Sequence, residues 1–304
     1  MKFGLFVSAF TALLTSTAAQ KVSGAAEGFA QGVTGGGSAA PVTPRNIQEL
    51  VTYLTDKSPR VIVLDRTYDF TGSEGTPAAQ VTYDKAGTDG INVASDKTII
   101  GVGNKGIIKG KGLRFVNVKN IIVQNIHVTN LNPQYVWGGD AFAFSGTSKI
   151  WVDHCTTFEM VGQGDQITLQ NNYIIHTSGR GPALSATTLL HAVNNVWSDV
   201  KGHAIEGDTA GKGLFEGNVF LNVNQVIVPD FKGQLNSCPD TAAAEAPKSY
   251  LGRVCQGNIF SGSSAFSRKD TEFLSEFKGL PIARSTQAKT AQAKVPQNAG
   301  FGKI

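Results

Sequence analysis

Cysteine, tryptophan and charge are all scarce in this sequence. Its 304 residues hold three cysteines and three tryptophans, and only 16% of them are charged. Three cysteines are too few for a chain knitted together by disulfides. In an exported chain Cys238 and Cys255 can close a loop, which leaves Cys155 odd. Cys155 follows directly on the strand-like segment WVDH, with no flanking His and acid in a catalytic pattern, and it reads as a buried thiol rather than a nucleophile. The formal net charge of +4 includes no basic stripe of the kind that binds nucleic acid. It is compatible with an anionic partner such as an acidic polysaccharide.

Long apolar runs are also missing, apart from one at the start, MKFGLFVSAFTALLTSTAAQ. Lys2 supplies a positive start, Phe3 to Leu14 an apolar stretch, and Thr17 to Ala19 small residues at a cleavage site. That is the layout of a secretory signal peptide, and the run is too short to span a bilayer. Residues 1–19 are therefore expected to be removed, leaving a soluble, extracellular domain over 20–304.

Glycine is abundant, with 35 residues, and short aliphatic alternation recurs along the chain. The pattern is a β-favouring residue, a gap, another such residue, a gap, then Asn, Gly or His. It occurs as Ile99–Gly101–Gly103, Ile121–Val123–Asn125, Ile150–Val152–His154, Ile167–Leu169–Asn171, Leu190–Ala192–Asn194 and Gly213–Phe215–Gly217. Successive starts lie 22, 29, 17, 23 and 23 residues apart. Alternation over short runs is the strand signal, and a period in the low twenties is that of a solenoid. Asn172, Asn195 and Asn218 fall one period apart, as expected for stacked turns whose side chains form a ladder. Leucine-rich repeats need a leucine consensus that is absent, and propeller blades need about 40 residues. The prediction is an all-β fold, a single-stranded right-handed parallel β-helix. The interval of 17 stands out, because a coil cannot easily lose six residues and keep its stack. The repeat stops near Ser261, so 261–304 is read as a tail, with a short helix at Thr271–Phe277, that covers the helix side or extends beyond it.

VWGGDA (Val136–Ala141), WVDH (Trp151–His154), HTSGRGP (His176–Pro182) and LLHAVNNVWSDVKGHAIE (Leu189–Glu206) carry a resemblance to fungal pectin lyases. AAEGFAQGVTGGG (Ala25–Gly37), KGIIKGKGLR (Lys105–Arg114) and YLGRVC (Tyr250–Cys255) extend it over most of the chain. The family is the polysaccharide lyase family that also holds pectate lyases. The resemblance implies β-elimination on methyl-esterified polygalacturonate of the plant cell wall (pectin) by a monomer. Its ester already acidifies C5, so no metal and no cofactor is implied. Pectate lyases instead hold Ca²⁺ on clustered carboxylates. Asp140 and Asp153 are the only acids between Leu131 and Phe158.

Carried over by motif, Arg180 is the catalytic arginine, Asp140 a substrate-binding or orienting acid, and Trp137 a platform for a sugar ring. A guanidinium is scarcely ever neutral. Arg180 therefore acts either as a base with a lowered pKa or as the group that stabilises the enolate charge. His154, His176 and His191 sit on strands or strand edges and read as core or ladder residues. GHAIEGD, with His203 and Glu206, invites comparison with the GHG motif of polygalacturonases, but the paired aspartates of a hydrolase are absent.

Two stretches depart from the family pattern. The segment between WVDH and SGR is short and carries no arginine, none occurring between Arg114 and Arg180. Ser73–Gly87 lacks the usual cysteine- and tryptophan-rich loop, and Ala183 stands where many pectin lyases have lysine. Three readings remain open: an altered active lyase, a degenerate paralogue that binds pectin without turnover, and a gene sequence with coding residues lost around Phe158–Gly164. A calcium-dependent pectate lyase is a further, weaker alternative.

Overall fold

Every residue that ends the repeated sequence pattern is a backbone corner. Gly103, Asn125, His154, Asn171, Asn194 and Gly217 have φ between +50° and +63° in the computed structural model. Left-handed backbone costs an ordinary side chain free energy, and Gly and Asn enter it most readily. The pattern is thus two inward positions of a strand followed by a left-handed turn. His154 and His176, both at positive φ, are corners rather than ladder rungs. The structure describes residues 21–71, 90–131, 140–156, 160–177, 179 and 181–304, with 160–163 described as backbone only.

All the ladder pairings between strands are parallel, and each joins one coil to the next. The chain therefore winds as a parallel β-helix, right-handed like nearly all parallel crossovers. One face is a continuous seven-stranded sheet. Its strands in order along the axis are Ile91–Asn92, Leu113–Val116, Phe142–Ser145, Met160–Gln163, Ala183–Ser185, His203–Gly207 and Gln225–Ile227.

The second face is broken. Five strands, ending with Lys119–Gln124 and Ser148–Asp153, form one sheet. A separate sheet of four begins at Gln166–Gln170 and Leu189–Val193. Ser148–Asp153 and Gln166–Gln170 are not paired with each other. The third face is split at the same level, into sheets of three and four strands. At the break its strand shrinks to a single bridge, His127 to Thr156. The buried core divides there too, into one cluster from Leu50 to Phe144 and another from Leu169 to Phe266. The interval of 17 is therefore no short coil within one sheet: Ile150 and Ile167 lie on opposite sides of a seam.

Two segments, 23–29 and the C-terminal one from 288 onward, cross that seam. Ser23 N–H donates to Gln124 Oε1 at 2.8 Å, and Phe29 N–H donates to Thr168 Oγ1 at 3.0 Å. The segment 23–29 thus touches one sheet with its start and the other with its end. A helix at Ala288–Asn298 packs Ala288, Ala291 and Val295 on Val196 and Val219 of the third face. Beyond it, Phe301 N–H donates to Thr156 Oγ1 and Gly302 N–H to Asn125 Oδ1, at 3.2 and 2.7 Å. The tail from 261 onward accordingly lies against the helix, with a 3₁₀ turn at Glu272–Phe277 rather than an α-helix.

Three further devices hold the stack. Asn172, Asn195 and Asn218 form the expected ladder, in which Asn195 and Asn218 each accept from the rung before, and Asn258 continues it by accepting from Asn218. Trp197, Phe220 and Phe260 stack in successive coils with centroids 4.7 and 5.1 Å apart. A helix at Ile47–Thr55, capped by Asn46, lays Leu50 and Leu54 over the first coils and covers the open end.

Candidate active site

The continuous sheet positions the candidate site. Backbone register aligns Arg114, Ala143, Val161, Ala183 and Glu206 as one row across five strands. Leu113, Phe115, Phe142, Phe144 and Leu184, the alternate positions, lie in the core. Strand alternation therefore sets Arg114, Ala143, Ala183 and Glu206 on the side of the sheet away from these residues, although Ala183 itself is only 4% exposed. The row has a charged residue at each end, with Ala143 and Ala183 between, and spans about 20 Å at the usual strand spacing.

Asp140 leads into Phe142–Ser145, and the SGR loop leads into Ala183–Ser185, two strands along the same sheet. The strands that these two motifs lead into thus lie on one face, about 10 Å apart at strand spacing. The Asp140 backbone packs closely on the preceding coil, where a Cβ on Gly112 would lie 1.8 Å from its carbonyl oxygen. Arg180 and Trp137 lie outside the described residues, as does the signal segment 1–19.

The chain on both sides of Arg180 is well anchored. Gly181 N–H donates to Ala204 O at 2.8 Å, and Trp197 Nε1 donates to Gly181 O at 2.5 Å. Glu206 N–H donates to Pro182 O at 3.2 Å, and the Gly181–Pro182 peptide is cis. Gly179 lies against His203, whose Nε2 hydrogen-bonds Glu206 Oε2 at 2.7 Å. The GHAIEGD segment, set aside as a hydrolase look-alike, is therefore the wall beside the SGR loop. Nothing in sequence spacing gave this, because contact between coils depends on the stack.

The other singled-out residues have structural roles. His191 is fully buried, with Nε2 at 2.7 Å from Glu216 Oε1. Cys238 and Cys255 form a disulfide, with Cα atoms 6.2 Å apart. The Cys155 thiol sits under the carbonyls of Val123 and Asp153, and burial pushes it up to about 12, far from a reactive thiolate. Among the described residues, no three His, Cys, Asp or Glu converge as a metal site. A recess of about 220 Å³ lies at the seam instead of on the continuous sheet. Glu27, Trp151, Asp153 and Gln170 line it, and its carboxylates are already engaged by Arg284 and Gln124. It is a packing gap between sheets, poorly suited to an acidic polymer.

Comparison with known proteins identifies the family. The pectate lyase family profile matches residues 4–163. The chain is 48% identical to a probable pectin lyase A of Aspergillus flavus, over 95% of this chain and 96% of that one. It is 42% identical to a probable pectin lyase A of Aspergillus terreus, with both chains covered in full. That alignment runs over 379 positions against 304 residues here, so at least 75 positions of the relative have no counterpart in this chain. Among solved structures, a Bacillus pectate lyase in complex with trigalacturonate superposes with a TM-score of 0.61 at 19% identity, over 92% of this chain and 99% of that one. A pectate lyase II of Xanthomonas campestris gives 0.60 at 20%, over 91% and 98%. The parallel β-helix, the loops feeding one continuous sheet and the full-length likeness agree: the chain belongs to the pectate lyase family of polysaccharide lyases, on its fungal pectin lyase branch.

Proposed function

We propose that the protein is a secreted pectin lyase that cleaves methyl-esterified polygalacturonate by β-elimination. The C5 proton of a galacturonosyl unit is removed, its electron pair forms the C4–C5 double bond, and the 4-O bond to the neighbouring unit breaks. The departing oxygen takes up a proton. The observation that supports this reading is that Asp140 and the SGR loop lead into strands of one continuous sheet, two strands apart. A polymer laid along the helix axis would cross both.

In this reading Arg180 takes the C5 proton or holds the enolate charge, and Asp140 orients it or binds the sugar. Trp137, in the loop before Asp140, supplies an apolar ring face. The ester group does for the reaction what a metal does for an ionised carboxylate, so no cofactor is required. Export rests on the initial 19 residues, and the N-terminus of protein recovered from culture medium tests it.

A second reading, pectin binding without turnover, draws on two observations: the absent arginine between Arg114 and Arg180, and the 75 positions missing relative to the Aspergillus terreus protein. Ultraviolet absorbance of unsaturated uronides, with highly methylated pectin and a chelator, separates the cases. Chelator-insensitive signal supports the lyase. Retained binding with no signal supports the binding protein, and calcium-dependent signal on de-esterified polymer supports a pectate lyase.

A further inference from the structure

The helix Ala288–Asn298 ends on the seam, and its end meets His154. The Asn298 backbone hydrogen-bonds the imidazole, and this contact favours the charged ring, so the acceptor is the Asn298 carbonyl. That carbonyl is one of the last four of the helix, which have no partner within it. The helix dipole favours a cation at the same place. The ring also sets Nδ1 2.8 Å from Asp153 Oδ2, which leaves Nε2 for the carbonyl. Both neighbours are acceptors. A neutral imidazole carries one N–H, whereas the charged ring donates from both nitrogens. Only the protonated ring can therefore serve Asp153 and Asn298 together. Beyond the helix, Phe301 and Gly302 donate to Thr156 Oγ1 and Asn125 Oδ1, and the Phe301 ring lies 5.6 Å from that of His127.

We infer that His154 is a protonation-dependent cap that latches the C-terminal segment across the seam, closed while the ring is charged and loosened when it is neutral. The latch is independent of how the proposed reaction is catalysed. The Asp153 carboxylate, itself held by Gln124 Nε2 at 2.6 Å, keeps the ring's pKa above the usual 6.5, against the effect of burial. The Asn298 contact adds to the rise. A raised histidine contributes its stabilisation in full below 6.5 and loses it as pH rises through the raised value. The latch therefore opens on the alkaline side. Its charged and titratable neighbours keep one state there. Glu27 of the segment 23–29 lines the recess with His154 and is paired with Arg284. Burial holds the Cys155 thiol up at about 12 and lowers the His127 pKa, so both are neutral in this range. Lys294 of the helix, and Lys303 and the terminal carboxylate beyond it, keep their charges.

The test follows hydrogen exchange of the Phe301 and Gly302 amides in the full chain, as protection factors corrected for the intrinsic rate, from about pH 6 to about pH 8.5. In the parent, protection should fall about threefold or more across this range. The midpoint of the fall should equal that of the His154 ring, read by NMR titration of the imidazoles. His154→Asn keeps a residue suited to the left-handed corner at φ +50° but cannot titrate. Its protection should be low throughout and independent of pH. Asp153→Asn should move the fall to lower pH. His127→Phe, which keeps an aromatic ring against Phe301, should behave like the parent. A flat parent profile overturns the inference, as does a fall that persists unchanged in His154→Asn or disappears in His127→Phe. If His154→Asn does not fold, the parent decides alone. A His154 midpoint at or below 6.5, or one that does not coincide with the loss of protection, then overturns the latch.

Discussion

Arg253 donates to both carboxylate oxygens of the buried Glu216, from Nη1 at 2.7 Å and from Nη2 at 2.6 Å. His191 closes on the same carboxylate at 2.7 Å. The contact ties the YLGRVC segment to the strand Lys212–Glu216, and so ties the chain beside the disulfide to the stack. A buried charge is tolerable only while its partners remain.

This pairing predicts both a mutational and a pH effect. Arg253→Met should destabilise the fold by about 3–5 kcal/mol, the usual cost of leaving a buried charge unpaired. Burial alone would push the Glu216 carboxyl up, but the bonds from His191 and Arg253 more than offset it and hold it at about 2, against an ordinary 4.5. A lowered carboxyl stabilises the fold above its unfolded value and loses that contribution as pH falls toward the folded one. The urea midpoint of the parent protein should therefore drop between pH 4.5 and pH 2 relative to Glu216→Gln. A constant difference across that window would contradict the assignment.

The asparagine ladder should be strongest in its middle. Asn218 Oδ1 accepts from the backbone and side chain of Asn195, while its Nδ2 donates to Ala192 O and Asn258 Oδ1. Asn218→Ala strands these partners in a fully buried site, at a cost of about 2–4 kcal/mol. Asn172, half-buried at the ladder's end, should cost less than half as much when truncated. Chemical denaturation of the two variants measures the difference.

Gly28→Ala probes the seam. Gly28 has φ +61°, and a Cβ there would meet Thr168 Oγ1 at 2.3 Å, the acceptor of the Phe29 N–H. The substitution should loosen the strap that joins the two sheets and lower the melting temperature by several degrees. Because each side of the seam has its own core, the unfolding transition should also broaden or split in calorimetry. A sharp, unshifted transition would show that the strap is dispensable.

Arg180→Ala should reduce kcat on methylated pectin by about a hundredfold or more, the scale of losing a main transition-state contact. Arg180→Lys keeps the charge but loses the planar fork, and should recover only part of that. Asp140→Asn is expected to cost about tenfold. Pectin retention on an affinity gel should persist in all three variants.

Much of the fold was legible before any coordinate. The six pattern-ending residues could be read because a left-handed corner selects Gly and Asn, and here once His154, at each coil, a local demand. The ladder from Asn172 to Asn218 could be read because stacking imposes one period. Asn258, 40 residues on, escaped that reading because the helices Thr241–Glu245 and Lys248–Leu251 are inserted between rungs. The shortfall between Trp151 and Arg180 was visible as an interval of 17, but not its consequence.

The sequence by itself determined the coil: strand, corner, strand, and the family that uses it. Those features depend on alternation and on backbone preference within a few residues. Only the tertiary structure decided that one sheet runs unbroken while two are cut, and that the segments 23–29 and 288–302 strap the cut. It alone placed His203 and Glu206 beside the SGR loop. Such pairings form between coils some 20 residues apart, and which face absorbs a shortfall depends on the hydrogen bonding of the whole stack, a property that no single segment carries.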